Sequence, residues 1–312
     1  MPSREALGCM TYAMGSEDAR GVMGRRATPD HENDFRDASR PFLRRLILME
    51  RNVTRPAQER PTLVTLGDVI EARIGLQAAL NGDRTKDEHA AVPVSVEELA
   101  RDAAACVEAG ARAIHLHPRD PGGRETLEAG IVDEAVVRVR DACGVPVGVT
   151  TSAEIEPNPE HRLRLVRAWR EPDYTSVNLS EPGATELMEV LIRARIGIEA
   201  GVWSVEDAER LRASRFGGRL TRILVEPVEA SAEDAVGLVE DIHRALDKLG
   251  LAAPRLQHGD GEATWVLLAD AIRRGIDTRV GLEDTLYGPD GKRTAGNEAL
   301  VHVARGLGAG TD

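Results

Sequence analysis

The sequence predicts an α/β fold, a (β/α)₈ or TIM barrel that follows a poorly structured N-terminal extension. From about residue 74, short apolar runs alternate with amphipathic stretches, and this alternation repeats eight times over about 235 residues. Strands that are apolar on both faces, each followed by a helix, form a parallel sheet covered by helices. Eight such units have the usual size of a (β/α)₈ barrel. An open doubly wound sheet is the competing fold, but its GxGxxG loop is absent after the first strand, and no P-loop occurs.

The first part of the chain differs from the rest, because residues 1–70 have no sustained apolar period. We therefore predict a largely disordered extension at residues 1–70 and a barrel domain at residues 71–312. The predicted strands span residues 74–80, 113–119, 146–152, 174–179, 196–202, 221–227, 255–259 and 278–284. Three serine and acid pairs predict helix starts, since each places an oxygen beside the unpaired amides of a first turn: Ser95 with Glu98, Ser204 with Asp207 and Ser231 with Asp234.

Charge and composition exclude several classes of partner. The formal net charge of −12 argues against a nucleic acid or an anionic membrane as the main partner, because both bind clustered positive charge. No run approaches the roughly 20 apolar residues of a spanning helix. Cys9, Cys106 and Cys143 are odd in number and widely spaced, so no disulfide framework is predicted. We expect a cytoplasmic protein.

Two histidines in the second predicted strand are the first candidates for chemistry. His115 and His117 are two residues apart, so their side chains point to the same face of the strand. A buried histidine is more often a hydrogen-bonded core residue than a ligand, and the pair alone leaves both interpretations open. Glu283 of the neighbouring eighth strand would complete a His₂Glu set, with a position left for substrate or water as in catalytic zinc sites.

Other charged residues at the strand ends have two interpretations each. Arg279 and Glu283 are at even spacing and can both face inward, either as an ion pair that closes the barrel or with the arginine orienting a carboxylate. Asp284 is expected to point away from Glu283 unless the strand ends there. Glu199 and Glu226 either line a pocket or pair with inward arginines. Since Lys86, Lys248 and Lys292 all lie outside the predicted strands, Schiff-base chemistry is disfavoured and metal chemistry remains.

These motifs together resemble one known family, the β-keto acid cleavage enzymes, whose founding member is the 3-keto-5-aminohexanoate cleavage enzyme. The resemblance covers about residues 74–307 and rests on ordered motifs: AALNGDRTKDEHAAVPVSVEELA, HLHPRDPGG, SVNLSEPGA, GIEAGVWS, RLQHGDG and TRVGLEDTLYGPDG. It implies a zinc-dependent enzyme that condenses a β-keto acid with acetyl-CoA and cleaves the adduct to acetoacetate and a new CoA thioester. It also implies a homo-oligomer, a tetramer.

The resemblance implies roles for individual residues. His115, His117 and Glu283 match its zinc ligands, and Arg279 and Asp284 match the pair credited with proton transfer.

Asp83 falls where the founding member has a substrate-contacting glutamate, and Ser152 or Thr151 and Ser180 lie near its other substrate contacts. We add Asn178 as a further expected substrate contact. The shorter carboxylate at position 83 argues against recognition of an amine.

Two other functions compete with this prediction. A metal hydrolase of the amidohydrolase type also has an HxH pair in a barrel, but it adds histidines on strands five and six, where this sequence has Glu199 and Glu226. A barrel that only binds a ligand is the second alternative, and polar residues at nearly every strand end argue against it.

Overall fold

A computed structural model of the chain describes residues 75–228 and 230–310. Its eight parallel strands close into a barrel in chain order, with the last strand paired to the first, so the predicted TIM barrel is confirmed. The strands are β1 Leu76–Ala79, β2 Ala113–Leu116, β3 Val147–Val149, β4 Tyr174–Asn178, β5 Gly197–Val202, β6 Arg222–Val225, β7 Arg255–Gln257 and β8 Asp277–Val280. The predicted extension, residues 1–70, lies outside the described residues.

One long helix follows each strand and packs on the outside of the barrel. These helices are α1 Val96–Ala109, α2 Ala129–Cys143, α3 Pro159–Arg167, α4 Ala184–Ala194, α5 Val205–Ser214, α6 Ala235–Lys248, α7 Thr264–Arg274 and α8 Asn297–Gly306. No helix within residues 75–228 and 230–310 is long and apolar enough to cross a bilayer.

Two of the three predicted helix starts are confirmed, and one is wrong. Ser95 and Glu98 form a complete capping box, and the Ser204 side chain accepts a hydrogen bond from the next helix's first turn. The helix predicted to start at Ser231, α6, begins later than expected, at Ala235. The reason is local, because the Ser231 hydroxyl bonds both the amide and the carboxylate of Asp234 and closes a separate turn before the helix.

Every strand except the fifth ends earlier than the apolar pattern predicts, and two of these early ends matter for the candidate site. The second strand ends at Leu116 and the eighth at Val280, so His117 and Glu283 lie beyond the ladders. The expectation that Glu283 is a strand residue is therefore wrong. The chain after Val280 turns back on itself, since the amides of Asp284 and Thr285 both donate to the Gly281 carbonyl.

A polar network fills the interior of the barrel near the N-terminal ends of the strands. Arg222 contacts Glu199 at 2.6 Å and Asp277 at 3.1 Å, and Gln77 donates to Tyr174 Oη at 2.9 Å. Glu199 is therefore the structural partner of an inward arginine, which is one of the two roles that the sequence left open for it. The network closes this end, so chemistry is left to the opposite end.

Candidate metal centre and active site

The carboxyl ends of the strands surround a cavity of about 750 Å³. Polar side chains line most of its wall, and Trp203, Leu224 and Val228 supply its apolar part. The polar lining residues include Asp83, Arg84, His115, His117, Glu125, Thr150, Ser152, Ser176, Asn178, Ser180, Glu181, Glu226, Asp260, Arg279, Glu283 and Asp284. Active sites of (β/α)₈ barrels lie at this end of the fold.

Three of these side chains converge on one point. His115 Nε2 lies 3.7 Å from Glu283 Oε1, and His117 Nε2 lies 3.8 Å from the same oxygen. These residues form the one group of metal-binding side chains found within the described part of the chain, with ligand atoms all within 4.8 Å of one another. Two ligands bonded to one zinc ion at about 2.1 Å in tetrahedral geometry lie about 3.4 Å apart, close to these separations.

The chemical state of the three side chains also fits a metal. Burial lowers the pKa of His115 to about 3, so its imidazole is neutral, the form that binds metals. Glu283 Oε2 is buried with no hydrogen-bond partner, so a metal could satisfy it. Burial alone would raise the pKa of Glu283, but Arg279 and the neighbouring histidines together outweigh it and hold this pKa low.

Glu125 orients the second histidine, and the sequence analysis missed it. Its Oε1 contacts His117 Nδ1, which leaves Nε2 free to face Glu283. A carboxylate on the far nitrogen is the usual partner of a metal-binding histidine, because it fixes the ring and its tautomer. The signal was the Pro121–Gly122–Gly123 turn, which folds the chain back so that Arg119 pairs with Glu125 in an antiparallel bridge.

Arg279 joins the candidate metal centre to a second carboxylate. Its Nη2 donates to Glu283 Oε1 at 2.9 Å and to Asp284 Oδ1 at 2.6 Å, and its Nε donates to the same Asp284 oxygen at 3.1 Å. Both carboxylates face the arginine because the strand has already ended, the exception that the sequence analysis allowed. Burial raises the pKa of Asp284 to about 6, and the nearby Arg279 opposes this shift only in part.

Four of the five expected substrate contacts line the cavity, and one does not. Ser152, Asn178 and Ser180 line the cavity, and Asp83 lies on an exposed turn at its rim. Thr151 is not among the lining residues, since its hydroxyl donates to the Ser176 carbonyl at 2.7 Å.

The neighbouring Thr150 lines the cavity instead. Trp203 also lines the cavity and was not among the residues expected there. Glu226 lines the cavity, and its Oε2 lies 3.4 Å from Nε2 of the buried His258.

A family model described as beta-keto acid cleavage enzyme matches residues 73–311. The chain belongs to the β-keto acid cleavage enzyme family. The match includes the whole barrel and every residue of the candidate centre, so the resemblance found in the sequence motifs is confirmed.

The chain is similar to two proteins that are named for their activities. The chain is 27% identical to the 3-keto-5-aminohexanoate cleavage enzyme of Fusobacterium nucleatum subsp. nucleatum over 77% of this chain and 94% of the relative. It is 28% identical to the 3,5-dioxohexanoate:acetyl-CoA acetone transferase of Paraburkholderia graminis, over 28% of each chain.

Solved structures confirm the fold of this β-keto acid cleavage family member. The apo structure of ObcA superposes with a TM-score of 0.58 at 16% identity, over 69% of this chain and 61% of the ObcA chain. The 3-dehydroquinate dehydratase of Geobacillus kaustophilus superposes with a TM-score of 0.53 at 12% identity, over 75% of this chain and 89% of that one.

Proposed function

We propose that this protein is a zinc-dependent enzyme that condenses a β-keto acid with acetyl-CoA and cleaves the adduct to acetoacetate and a new CoA thioester. The observation that carries the proposal is the convergence of His115, His117 and Glu283 beside an Asp284 held by Arg279. Family membership and the acetyl-CoA in the name of the Paraburkholderia relative support the reaction. We also propose that the protein acts in the cytoplasm and assembles into a homo-oligomer, a tetramer.

Zinc suits the donor set, because two imidazole nitrogens and one carboxylate oxygen are the ligands of many catalytic zinc sites. His115, His117 and Glu283 would hold the ion. When bound there, it would act as a Lewis acid on the keto and carboxylate oxygens of the substrate and so acidify the carbon between them.

Asp284 would take the proton from that carbon. Its Oδ2 is buried and unpartnered, whereas Oδ1 accepts both hydrogen bonds from Arg279. The arginine therefore fixes the carboxylate and leaves one oxygen for the substrate, the arrangement that general-base catalysis needs. The carbanion would attack the thioester carbonyl of acetyl-CoA and expel CoA thiolate, which would then add to the original keto carbon. Cleavage of the bond between that carbon and the central carbon would leave the new CoA thioester, and the central carbon would take back the proton from Asp284 to give acetoacetate.

Neutral polar groups in the wall would bind the rest of the substrate. Ser152, Asn178 and Ser180 line one side of the cavity with two hydroxyls and an amide. The Asn178 amide donates to Glu181 Oε1 at 2.9 Å, so it is already oriented. Asp83 would contact the distal part of the substrate at the rim.

Hydrolysis of the amidohydrolase type fits this site less well. Glu199 occupies the strand-five position where that type has a histidine, and it is bound to Arg222 away from the cavity. Glu226 of the sixth strand end contacts His258, not one of the proposed ligands.

A panel of β-keto acids with acetyl-CoA, assayed for acetoacetate by mass spectrometry, tests the proposed reaction. We expect acetoacetate to form with at least one member, only with acetyl-CoA present, and to be lost after chelator treatment and restored by zinc. Retained zinc without acetyl-CoA-dependent consumption of any member would contradict the reaction. Water-dependent release of products without CoA would favour the hydrolase instead.

A further inference from the structure

Two of the three proposed metal ligands lie beyond the ends of the barrel's strands. β2 ends at Leu116 and β8 at Val280, so His117 lies one residue and Glu283 three residues beyond a strand. A metal site needs its ligands fixed to within a fraction of an ångström. The Glu283 amide still donates to the Ala79 carbonyl of β1, but at 3.4 Å, so a further contact is needed to fix these two segments.

Asn81 holds the backbone of His117 from both sides. Asn81 Oδ1 accepts from the His117 amide at 2.9 Å, and Asn81 Nδ2 donates to the His117 carbonyl at 2.9 Å. The side chain is fully buried, and Nδ2 also donates to the Pro93 carbonyl at 3.2 Å. Its amide thus makes the two backbone contacts that a neighbouring strand would supply.

The Asn81 contact replaces a ladder hydrogen bond. The Leu80 amide donates to the His115 carbonyl at 2.9 Å, and in a continuous parallel ladder the His117 amide would next donate to the Leu80 carbonyl. Instead, the His117 amide goes to Asn81. The Leu80 carbonyl accepts from Asn297 Nδ2 at 2.8 Å.

Asn297 makes the same replacement on the other side of β1. The Thr278 amide donates to the Gly75 carbonyl, and two steps further the Leu282 amide would donate to the Ala79 carbonyl. The Leu282 amide donates instead to Asn297 Oδ1 at 2.6 Å, and the Ala79 carbonyl accepts from the amide of the next residue, Glu283, at 3.4 Å. Asn297 is fully buried at the start of α8.

Two further contacts fix Asn297 and the segment it holds. Asn297 Nδ2 donates to Asp102 Oδ2 of α1 at 2.6 Å, which ties the amide to the helical layer. Gly281 passes so close to β1 that a Cβ there would lie 1.7 Å from the Ala79 carbonyl oxygen. The chain therefore leaves the β1–β8 ladder after Gly281, and Asn297 Oδ1 accepts the hydrogen bond of the next amide, that of Leu282.

We propose that Asn81 and Asn297 are positioning residues that set the placement of His117 and Glu283 and thereby the metal affinity of the centre. This inference rests on the metal site of the proposed function. Neither asparagine contacts the metal position, and each acts through the backbone of a ligand segment. Partners behind metal ligands of this kind are worth about 10–100-fold in metal affinity.

The test measures zinc affinity by competition with a chromophoric chelator for the wild type, Asn81→Ala and Asn297→Ala. Circular dichroism of each apo protein verifies that the barrel is folded at the assay temperature. We expect each variant to lose about 10–100-fold in zinc affinity and to gain less thermal stability from added zinc than the wild type. Asn81→Ser and Asn297→Ser, which remove less volume, give the same test if an alanine variant does not fold.

Gln257→Leu is the matched control. Gln257 is as buried as the two asparagines and donates from Nε2 to the Leu267 carbonyl and to Asp270 Oδ2, both at 2.9 Å, away from the centre. We expect it to lose stability while keeping wild-type zinc affinity.

The outcomes separate this inference from the proposed function. Wild-type zinc affinity in folded variants at both asparagines overturns the positioning role and leaves the metal site intact. An equal loss in Gln257→Leu also overturns it, because the loss would then follow stability alone. A wild-type protein that binds no zinc overturns both the positioning role and the metal-dependent function.

Discussion

Arg279 donates two hydrogen bonds to one oxygen of Asp284 and leaves the other carboxylate oxygen buried without a partner. A buried ion pair that served stability alone would be expected to satisfy both oxygens. The unpaired oxygen of Asp284 lies beside three convergent metal-binding side chains, whereas both oxygens of Glu199, at the other end of the barrel, accept hydrogen bonds.

The first prediction concerns the proposed base. Asp284→Asn keeps the shape of the side chain but removes the proton acceptor, so kcat should fall about 10²–10⁴-fold while zinc content is unchanged. Steady-state kinetics with metal analysis checks this. Asp270→Asn, a buried aspartate bound to Arg273 and Arg274, is the control and should keep its kcat. Wild-type turnover by zinc-loaded Asp284→Asn would remove this residue from the mechanism.

The second prediction uses the turn that packs against a proposed ligand. Gly82 has φ of +52°, and a Cβ on it would lie 2.5 Å from Glu283 Cγ. Gly82→Ala should therefore displace Glu283 and weaken zinc binding by at least about 10-fold. Gly130→Ala is the matched control, since a Cβ there meets nothing within 4 Å, and it should bind zinc normally. Equal zinc affinities in the two variants would argue against Glu283 as a ligand.

The third prediction concerns the carboxylate behind His117. Glu125→Gln retains the size of the side chain but loses the charge that orients the imidazole, so zinc affinity should fall about 10–100-fold. Chelator competition measures it. Glu128→Gln makes the same change on an exposed residue of the same segment and should have no effect. If the two variants bind zinc alike, Glu125 does not orient His117 for a metal.

The fourth prediction concerns pH and stability. Burial raises the pKa of Asp102 from 3.8 to about 6, against the effect of the Asn297 hydrogen bond. Because the folded state binds this proton more tightly, the stability it contributes is complete below about pH 4 and is lost as pH rises through about 6. Asp102→Asn removes this titration. The melting temperature of the variant relative to that of the wild type should therefore be higher at pH 8 than at pH 5.

The expected gain is about 1 kcal/mol, or about 2–4 °C for a domain of this size. Thermal unfolding of both proteins at the two pH values measures it. Asp141→Asn, the same change at an exposed position of α2, should show the same difference from the wild type at both pH values. A pH-independent difference for Asp102→Asn would contradict the prediction.

Several features of the fold were predictable because they are local. Alternating apolar and amphipathic runs predicted all eight strands, and the pair Ser95 and Glu98 predicted a helix start that the structure confirms. The site was partly predictable for the same reason. His115, His117, Arg279, Glu283 and Asp284 stand at the ends of apolar runs, where a barrel places its chemistry.

Other features depend on where the ladders stop, which the apolar pattern does not record. β2 ends at Leu116 and β8 ends at Val280, although the sequence pattern predicted that both strands continue to the polar residues that follow. Glu125 and Asn297 were missed because they contact the ligand segments from elements that are not strand ends. Glu125 lies on a folded-back turn, and Asn297 lies at the start of α8. Thr151 was an expected contact from the family resemblance, but its neighbour Thr150 is the one that lines the cavity.

The sequence by itself determined the barrel, the family and the residue types of the centre, because periodicity and ordered motifs are properties of the chain. Only the tertiary structure decided that both Glu283 and Asp284 face Arg279, which threonine meets the cavity and which asparagines hold the ligand segments. These outcomes depend on hydrogen bonds between segments up to about 200 residues apart, such as Asn297 with Leu80 and Asp102. Such contacts form only when the barrel closes and brings its first and last units together.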